Sequence, residues 1–226
     1  MTQQTLKAVF FDLDGTLLDT APDFVNTLNV LAIEYNITPV TEDQVRQTVS
    51  HGARALTTLL FAVNETDDRF ETYRQRLLTV YGEQMGKHCQ LFPGIEALLI
   101  NLEQQQLHWG IITNKPWQFT EDLVKQLHLP STPAVVIAPE HVKRAKPDPE
   151  ALLLACDTVG CLPQETIYIG DHKRDIDCGI GAGSETIAVN FGYIHDDDDI
   201  YQWQAHHIAQ QPQDIWPIIQ QRLQTS

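Results

Sequence analysis

Val9-Phe10-Phe11-Asp12-Leu13-Asp14-Gly15-Thr16 is a stretch in which a short apolar run stops at two aspartates, a glycine and a threonine. The apolar residues, which begin at Ala8, are typical of a strand that is buried on both faces of a parallel sheet. Side chains alternate along an extended chain, so Asp12 and Asp14 should lie on the same side, just past the carboxyl end of the strand. Ligands of open α/β sheets bind at that edge, and Gly15 permits the turn that follows. This stretch therefore predicts the centre of a ligand site.

The composition of the chain is that of an ordinary soluble protein. It has 226 residues, of which 42% are hydrophobic and 20% are charged, and this length suits one α/β domain with a smaller domain inserted in it. The formal net charge of −15 argues against nucleic acid or an anionic membrane as the partner, because both would be repelled. A small anionic substrate is compatible with this charge, since a divalent cation and a few lysines can reverse the field inside one cleft.

The cysteines and the apolar runs indicate a cellular location. Four cysteines without a CxxC pair are typical of a reducing compartment rather than of a disulfide scaffold. The first residues are polar, with no signal-peptide core, and no apolar run approaches the length of a membrane span. We therefore expect a cytoplasmic protein, a monomer or a dimer, without a membrane partner.

Two kinds of pattern divide the chain. In residues 20–86 apolar side chains recur at helical spacing and no strand is predicted, whereas from Phe92 onward strands and helices alternate, as in a parallel sheet. The later strands are predicted at residues 109–112, 134–138, 166–169 and 186–190. We therefore predict an α/β fold, a Rossmann-like parallel-sheet core of residues 1–19 and 87–226, with an all-helical cap domain of residues 20–86 inserted after the first strand. An insertion at that point lies above the carboxyl edge of the sheet, where it can act as a lid.

Polar residues follow the predicted strands at the same edge as the two aspartates. Thr113-Asn114 ends the second core strand, Gly170-Asp171 ends the fourth with Asp175 four residues on, and Lys146 precedes a helix. A parallel sheet can bring such distant positions into one crevice. These motifs, in this order, resemble those of the haloacid dehalogenase-type phosphatases, and the resemblance covers essentially the whole chain. A lone Asp-x-Asp would be weak evidence, whereas the ordered set is specific.

The resemblance implies a reaction as well as a fold. A phosphate monoester needs an in-line nucleophile, charge neutralisation and a proton for the leaving alkoxide. Asp12 is implied as the nucleophile, forming an aspartyl-phosphate that divides one hard displacement into two easier ones. Asp14 is implied as the acid that protonates the leaving oxygen and then as the base that deprotonates water. The dehalogenases of this family lack an acid/base aspartate at that position, so Asp14 favours phosphoryl transfer.

The resemblance also implies a metal and a phosphate site. The implied metal is Mg²⁺, which prefers oxygen ligands. Its implied ligands are the carboxylates of Asp12 and Asp171 and the backbone carbonyl of Asp14. The groups implied to hold the phosphoryl oxygens are the Thr113 hydroxyl, the Asn114 backbone and the Lys146 ammonium. Asp175 and Thr16 are implied next to the metal ligands, with Asp175 orienting the lysine or a metal-bound water.

Further stretches resemble one branch of the family. Residues 17–22 and 113–116 are similar to the phosphoglycolate phosphatases. Similarity to the proteobacterial phosphatases of N-acetylmuramic acid 6-phosphate, which serve peptidoglycan recycling, lies in residues 21–24, 50–54, 141–150 and 192–195. The implied substrate is a small phosphorylated metabolite, either N-acetylmuramic acid 6-phosphate or 2-phosphoglycolate. His51, Arg54 and Lys115 are candidates for contacts with its non-phosphate part, and each is as readily a surface or packing residue.

Two alternatives stay open at this point. A sugar phosphomutase of the β-phosphoglucomutase type shares the first motif and a helical cap, but its cap would have to exclude water and return the intermediate to the sugar. A non-catalytic phosphate-binding protein would be expected to have lost Asp12, Asp14 or Lys146, and this chain has all three. His172 departs from the small hydroxyl residue that many relatives carry there, and the run from Asp196 to Asp199 is expected to be a solvated loop.

Overall fold

A parallel sheet forms the core of the molecule. The computed structural model describes residues 5–224, and its strands are β1 (Ala8–Phe11), β2 (Leu18–Asp19), β3 (Gln90–Leu91), β4 (His108–Ile112), β5 (Val135–Ile137), β6 (Thr166–Gly170), β7 (Glu185–Val189) and β8 (His207–Ala209). Six of them pair in parallel in the order β5-β4-β1-β6-β7-β8. Strand β1 is central, with Phe11 opposite Ile111 of β4 on one side and Ile169 of β6 on the other. The carboxyl ends of β4, β1 and β6 are therefore neighbours.

Helices surround this sheet and also form the segment inserted into it. The helices are α1 (Ala21–Glu34), α2 (Glu42–Thr48), α3 (Gly52–Phe61), α4 (Phe70–Gln84), α5 (Ile95–Gln104), α6 (Trp117–Gln126), α7 (Glu150–Val159), α8 (Lys173–Ala182) and α9 (Ile215–Gln224). From α5 onward they alternate with strands, so the predicted α/β fold is confirmed. Within residues 5–224, no helix is both long and apolar enough to cross a bilayer.

Strand β1 is buried on both faces, as its continuous apolar run predicts. Val9 and Phe11 point into the cluster that includes the apolar residues of α5 and α9. Ala8 and Phe10 point into a second cluster with residues of α7. All four side chains are inaccessible to solvent. Burying a polar side chain without a partner is unfavourable, so a strand that helices cover on both sides is apolar along its length. The first polar residue, Asp12, therefore comes where the strand ends, at the rim of the sheet.

The segment between β2 and β3 consists of helices α1 to α4, in the region predicted as the cap. Its interior is aromatic: the Phe24 ring of α1 stacks on the Tyr81 ring of α4 with centroids 4.2 Å apart. Thr41 and Gln44 have the residue types and spacing of a capping box, and helix α2 begins with one, in which the Thr41 side chain accepts from the Gln44 backbone N–H. We refer to residues 20–86 as the cap, and their independence as a domain stays a prediction.

Both connections to the cap pass through a ribbon that the sequence does not indicate. Strands β2 and β3 pair antiparallel, with Leu18 opposite Leu91, so the chain enters and leaves the cap at one place. Two-residue strands have no periodicity from which to predict them. Thr20 followed by Pro22 is typical of a helix start, and Thr20 does precede α1, but its hydroxyl makes no capping hydrogen bond and donates instead to Asp14.

Two further elements differ from the expected pattern. The edge strand β8 is not predicted from the sequence, because three residues are too few to show alternation. The sequence pattern predicts a short helix over residues 176–182, whereas helix α8 begins earlier, at Lys173, because the His172 side chain accepts from the Arg174 backbone N–H at 3.1 Å. His172 therefore serves as a helix cap. The run from Asp196 to Asp199 is exposed, as expected.

Candidate active site

A cleft of about 670 Å³ lies between the carboxyl edge of the sheet and the cap. Asp12 follows β1, Thr113 follows β4 and Asp171 follows β6, and all three line it. Among the described residues, the buried side-chain polar atoms without a hydrogen-bond partner are Tyr81 Oη and Asn114 Oδ1, and both residues line this cleft. Buried polar atoms are normally paired, so two such atoms in one cleft indicate a ligand site.

Lys146 is held at the base of the cleft by an ionic network. Its side chain is 1% exposed, and its Nζ lies 2.9 Å from Asp12 Oδ1 and 2.7 Å from Asp175 Oδ1. The same ammonium donates to the Ile112 carbonyl at 2.8 Å and to the Tyr168 hydroxyl at 2.9 Å. Burial alone would lower the pKa of Lys146, but the two carboxylates outweigh burial and raise it. The lysine is therefore a fixed positive charge beside Asp12.

Three carboxylates converge next to this lysine. Oxygen atoms of Asp12, Asp171 and Asp175, which we call the acid cluster, lie within 4.8 Å of one another. Burial raises the pKa of Asp12 to about 6 against the attraction of Lys146. Burial and then the charge of Asp12 raise the pKa of Asp171 well above its usual range. More negative charge is gathered here than one ammonium balances, and a set of oxygen ligands with a charge deficit fits a divalent cation such as Mg²⁺.

The backbone around the acid cluster holds Asp171 in place. Its Oδ2 accepts from the Tyr193 N–H at 2.8 Å, and its Oδ1 accepts from the Thr16 hydroxyl at 3.3 Å. Gly15 has φ +83°, a conformation that disfavours side chains, and a Cβ there would overlap the Asp171 carboxylate. The glycine after the two aspartates is thus required by this close approach as well as by the turn.

Asp14 lies outside the acid cluster and has its own partners. Its Oδ1 accepts from the Thr20 hydroxyl at 2.6 Å and lies 2.9 Å from Lys115 Nζ. The Lys115 ammonium also lies 5.3 Å from the ring centroid of Phe24 and 4.8 Å from that of Tyr81, both in the cap. Burial would lower the pKa of Lys115, but Asp14 and Tyr81 together outweigh burial and raise it. Lys115, a candidate for substrate contact, is placed against Asp14 within the lining of the cleft.

Thr113 and Asn114 line the cleft beside Lys146, as their order in the sequence predicts. The Thr113 hydroxyl accepts from the Lys115 backbone N–H at 3.0 Å. The Asn114 Nδ2 donates to the Lys146 carbonyl at 3.0 Å, which leaves its Oδ1 without a described partner. These contacts tie the two segments that flank the acid cluster to each other.

The cap supplies the opposite side of the cleft. His51 and Arg54 line it, and Arg54 is engaged with Glu65 at 2.6 Å and lies over the Phe70 ring at 5.4 Å. Arg74 and Arg174 also line it, and neither is singled out by the sequence. A charged residue on an amphipathic helix usually faces solvent, so only the packing of cap on core places these two at the cleft.

Comparisons with known proteins show the family of the chain. A family model described as haloacid dehalogenase-like hydrolase matches residues 9–189. The chain is 41% identical over 218 residues to an N-acetylmuramic acid 6-phosphate phosphatase of Pseudomonas putida, covering 96% of this chain and 98% of that protein. It is 39% identical over 210 residues to a phosphoglycolate phosphatase of Xanthomonas campestris, covering 93% and 95%.

A solved structure resembles the whole molecule. The crystal structure of a predicted phosphoglycolate phosphatase from Haemophilus somnus superposes with a TM-score of 0.83, covering 97% of this chain and 99% of that one at 24% identity. This likeness shows the fold, and the family-model match and the relatives above 30% identity show the family. The chain belongs to the haloacid dehalogenase-like hydrolases.

Proposed function

We propose that this protein is a Mg²⁺-dependent phosphomonoesterase that acts through an aspartyl-phosphate. The observation that carries the proposal is the buried pair of Lys146 with Asp12, at 2.9 Å, at the rim of the sheet and beside Asp171. A carboxylate kept next to a fixed cation is held ionised although burial raises its pKa to about 6, and only the ionised form is a nucleophile. The family and the named relatives support the same reaction class.

In the proposed first step, an Asp12 oxygen attacks phosphorus, and a new O–P bond forms while the bond from phosphorus to the ester oxygen breaks. Asp14 gives its proton to the leaving alkoxide. In the second step Asp14 takes a proton from water, whose oxygen attacks phosphorus, and the bond to Asp12 breaks to release inorganic phosphate. Lys146, Thr113 and the Asn114 backbone hold the phosphoryl oxygens through both steps.

Asp12, Asp171 and the backbone carbonyl of Asp14 are the proposed metal ligands, with Asp175 and Thr16 beside them. A bound Mg²⁺ would neutralise charge on the phosphoryl oxygens and reduce repulsion between substrate and carboxylates. The donor set supports this assignment, because buried oxygen ligands with excess negative charge suit a hard cation.

The proposed substrate is a small phosphorylated acid, either N-acetylmuramic acid 6-phosphate or 2-phosphoglycolate, as in the names of the relatives. The cleft volume of about 670 Å³ leaves room for an amino sugar as well as for the smaller acid. With the first substrate the enzyme would serve peptidoglycan recycling in the cytoplasm. The free state of all four cysteines fits a reducing compartment, and we expect a monomer or a dimer.

A phosphate-release panel tests the proposal. Purified protein is assayed with and without Mg²⁺ on N-acetylmuramic acid 6-phosphate, 2-phosphoglycolate, hexose phosphates and nucleotides, beside the Asp12→Asn variant. We expect metal-dependent release of phosphate and a loss of at least about 10³-fold in the variant. Turnover by Asp12→Asn at the parent rate would refute the nucleophile, and isomerisation of a hexose phosphate without phosphate release would indicate the phosphomutase instead.

A further inference from the structure

The lining of the cleft is rich in cationic side chains, although the whole molecule is acidic. The chain carries a formal charge of −15, yet five cationic side chains and three carboxylates line the cleft. Two of the cations, Lys115 and Lys146, are paired with Asp14 and Asp12. The remaining three are arginines: Arg54 and Arg74 in the cap, and Arg174 in the core.

The three arginines differ in their partners. Arg54 lies 2.6 Å from Glu65 and Arg74 lies 2.7 Å from Glu71, so each is neutralised within the cap. No carboxylate of residues 5–224 lies within 4.0 Å of Arg174. Its charge is thus left uncompensated at a half-buried position that lines the cleft.

The position of Arg174 is not explained by the stability of its helix. It is the second residue of α8, where the helix dipole places partial positive charge and a cation is unfavourable. Its Nη2 crosses to the cap and donates to the Ser50 carbonyl at 2.6 Å. Ser50 is held in turn, because its hydroxyl donates to the Tyr193 carbonyl at 3.3 Å. The guanidinium is therefore oriented between core and cap, and within residues 5–224 its side chain makes no hydrogen bond other than the one to Ser50.

We infer that Arg174 binds a carboxylate of the substrate on the cap side of the cleft, while Lys146 and its neighbours bind the phosphoryl group. A guanidinium presents parallel donors that match the two oxygens of a carboxylate, and an oriented one loses less entropy on binding. This inference rests on the proposed phosphatase function and deepens it. It makes the enzyme selective for phosphomonoesters that are also carboxylic acids, a property shared by both substrates proposed above.

Matched pairs of substrates isolate the carboxylate. N-acetylmuramic acid 6-phosphate differs from N-acetylglucosamine 6-phosphate by the lactyl ether that bears the carboxylate, and 2-phosphoglycolate differs from ethyl phosphate by a carboxylate in place of a methyl group. We expect the parent to prefer the acid in at least one pair. In Arg174→Met the ratio of kcat/KM for acid over neutral substrate should fall about ten- to hundredfold, as expected for a charged hydrogen-bonded contact. Arg174→Lys should retain part of the preference.

A second readout does not depend on catalysis. N-acetylmuramic acid without phosphate should inhibit the parent competitively and more strongly than N-acetylglucosamine, and Arg174→Met should remove the difference. Lys173→Met is the matched control, because Lys173 is the exposed neighbour, paired with Asp177 at 2.6 Å and absent from the lining. It removes the same charge one residue away and should leave the ratio unchanged. Thermal unfolding of each variant checks folding.

The possible failures are distinguishable. If Arg174→Met lowers kcat/KM equally for acid and neutral substrates, Arg174 is a contact between cap and core, and the inference is overturned while the phosphatase function stands. A parent that shows no preference for the acid in either pair also overturns it. If the parent releases phosphate from no compound of the panel, the proposed function itself fails.

Discussion

Replacing Lys146 by methionine should affect stability and activity by separable routes. The ammonium is 1% exposed and lies 2.7 Å from Asp175, whose side chain is fully buried, and 2.9 Å from Asp12. Methionine has a similar length but no charge, so Lys146→Met leaves the Asp175 carboxylate buried without its cation. Removing one partner of a buried ion pair typically costs about 3–5 kcal/mol. For a chain of this size that loss corresponds to a Tm decrease of roughly 6–20 °C.

A second substitution tests whether the loss comes from the orphaned charge. In Lys146→Met/Asp175→Asn the buried carboxylate becomes a neutral amide, which can still accept from the His172 N–H that bonds Asp175 at 3.1 Å. The double variant should therefore recover at least about 2 kcal/mol of the stability lost by the single one. Activity should stay about 10²–10³-fold below the parent in both variants, because neither has the cation that we propose to hold the phosphoryl group.

Urea unfolding followed by circular dichroism measures the free energy of unfolding of each variant. EDTA is present so that a bound metal does not compensate for the missing charge of Lys146. Phosphate release measures the activity of each variant. A single variant within about 1 kcal/mol of the parent would show that the ion pair contributes little to stability. If the double variant were no more stable than the single one, the buried charge of Asp175 would not be the cause.

Three further perturbations test other parts of the site. Gly15→Ala should abolish Mg²⁺-dependent turnover, because its Cβ would overlap the Asp171 carboxylate, and unchanged activity in the release assay would contradict that contact. Tyr193→Phe should cost about 1–3 kcal/mol in urea unfolding, since the Ala21 N–H loses the hydroxyl that it donates to at 2.7 Å, and a variant as stable as the parent would contradict this. With a pKa of about 6 for Asp12 in the metal-free protein, protons compete with the metal below that pH. Mg²⁺ affinity measured by calorimetry should therefore fall about tenfold from pH 7 to pH 5, and an equal affinity at both would argue against Asp12 as a ligand.

The sequence predicts those parts of the fold that depend on local patterns. The apolar run that ends at Asp12 predicts a buried central strand, because only a strand covered on both faces is apolar at every position. The alternation after Phe92 predicts the parallel sheet, and the capping box predicts the start of α2 at Thr41. The sequence does not predict strands β2, β3 and β8, because two or three residues are too few to show an alternation of apolar and polar side chains.

For the candidate site, the sequence by itself determined which chemical groups meet at the carboxyl edge: each follows a strand or precedes a helix of the same sheet, and the topology of a parallel sheet brings them together. Only the tertiary structure shows which groups the side chains of Lys115 and Arg174 contact. Lys115 meets Asp14 across 101 residues, and Arg174 meets the Ser50 carbonyl across 124. Neither contact follows from a local pattern: the first depends on how the ends of the paired strands β1 and β4 lie in the core, and the second on how the cap packs against the core. The packing of the core places Lys115 on the proposed acid/base residue, and the packing of the cap on the core leaves Arg174 lining the cleft with no carboxylate of residues 5–224 within 4.0 Å.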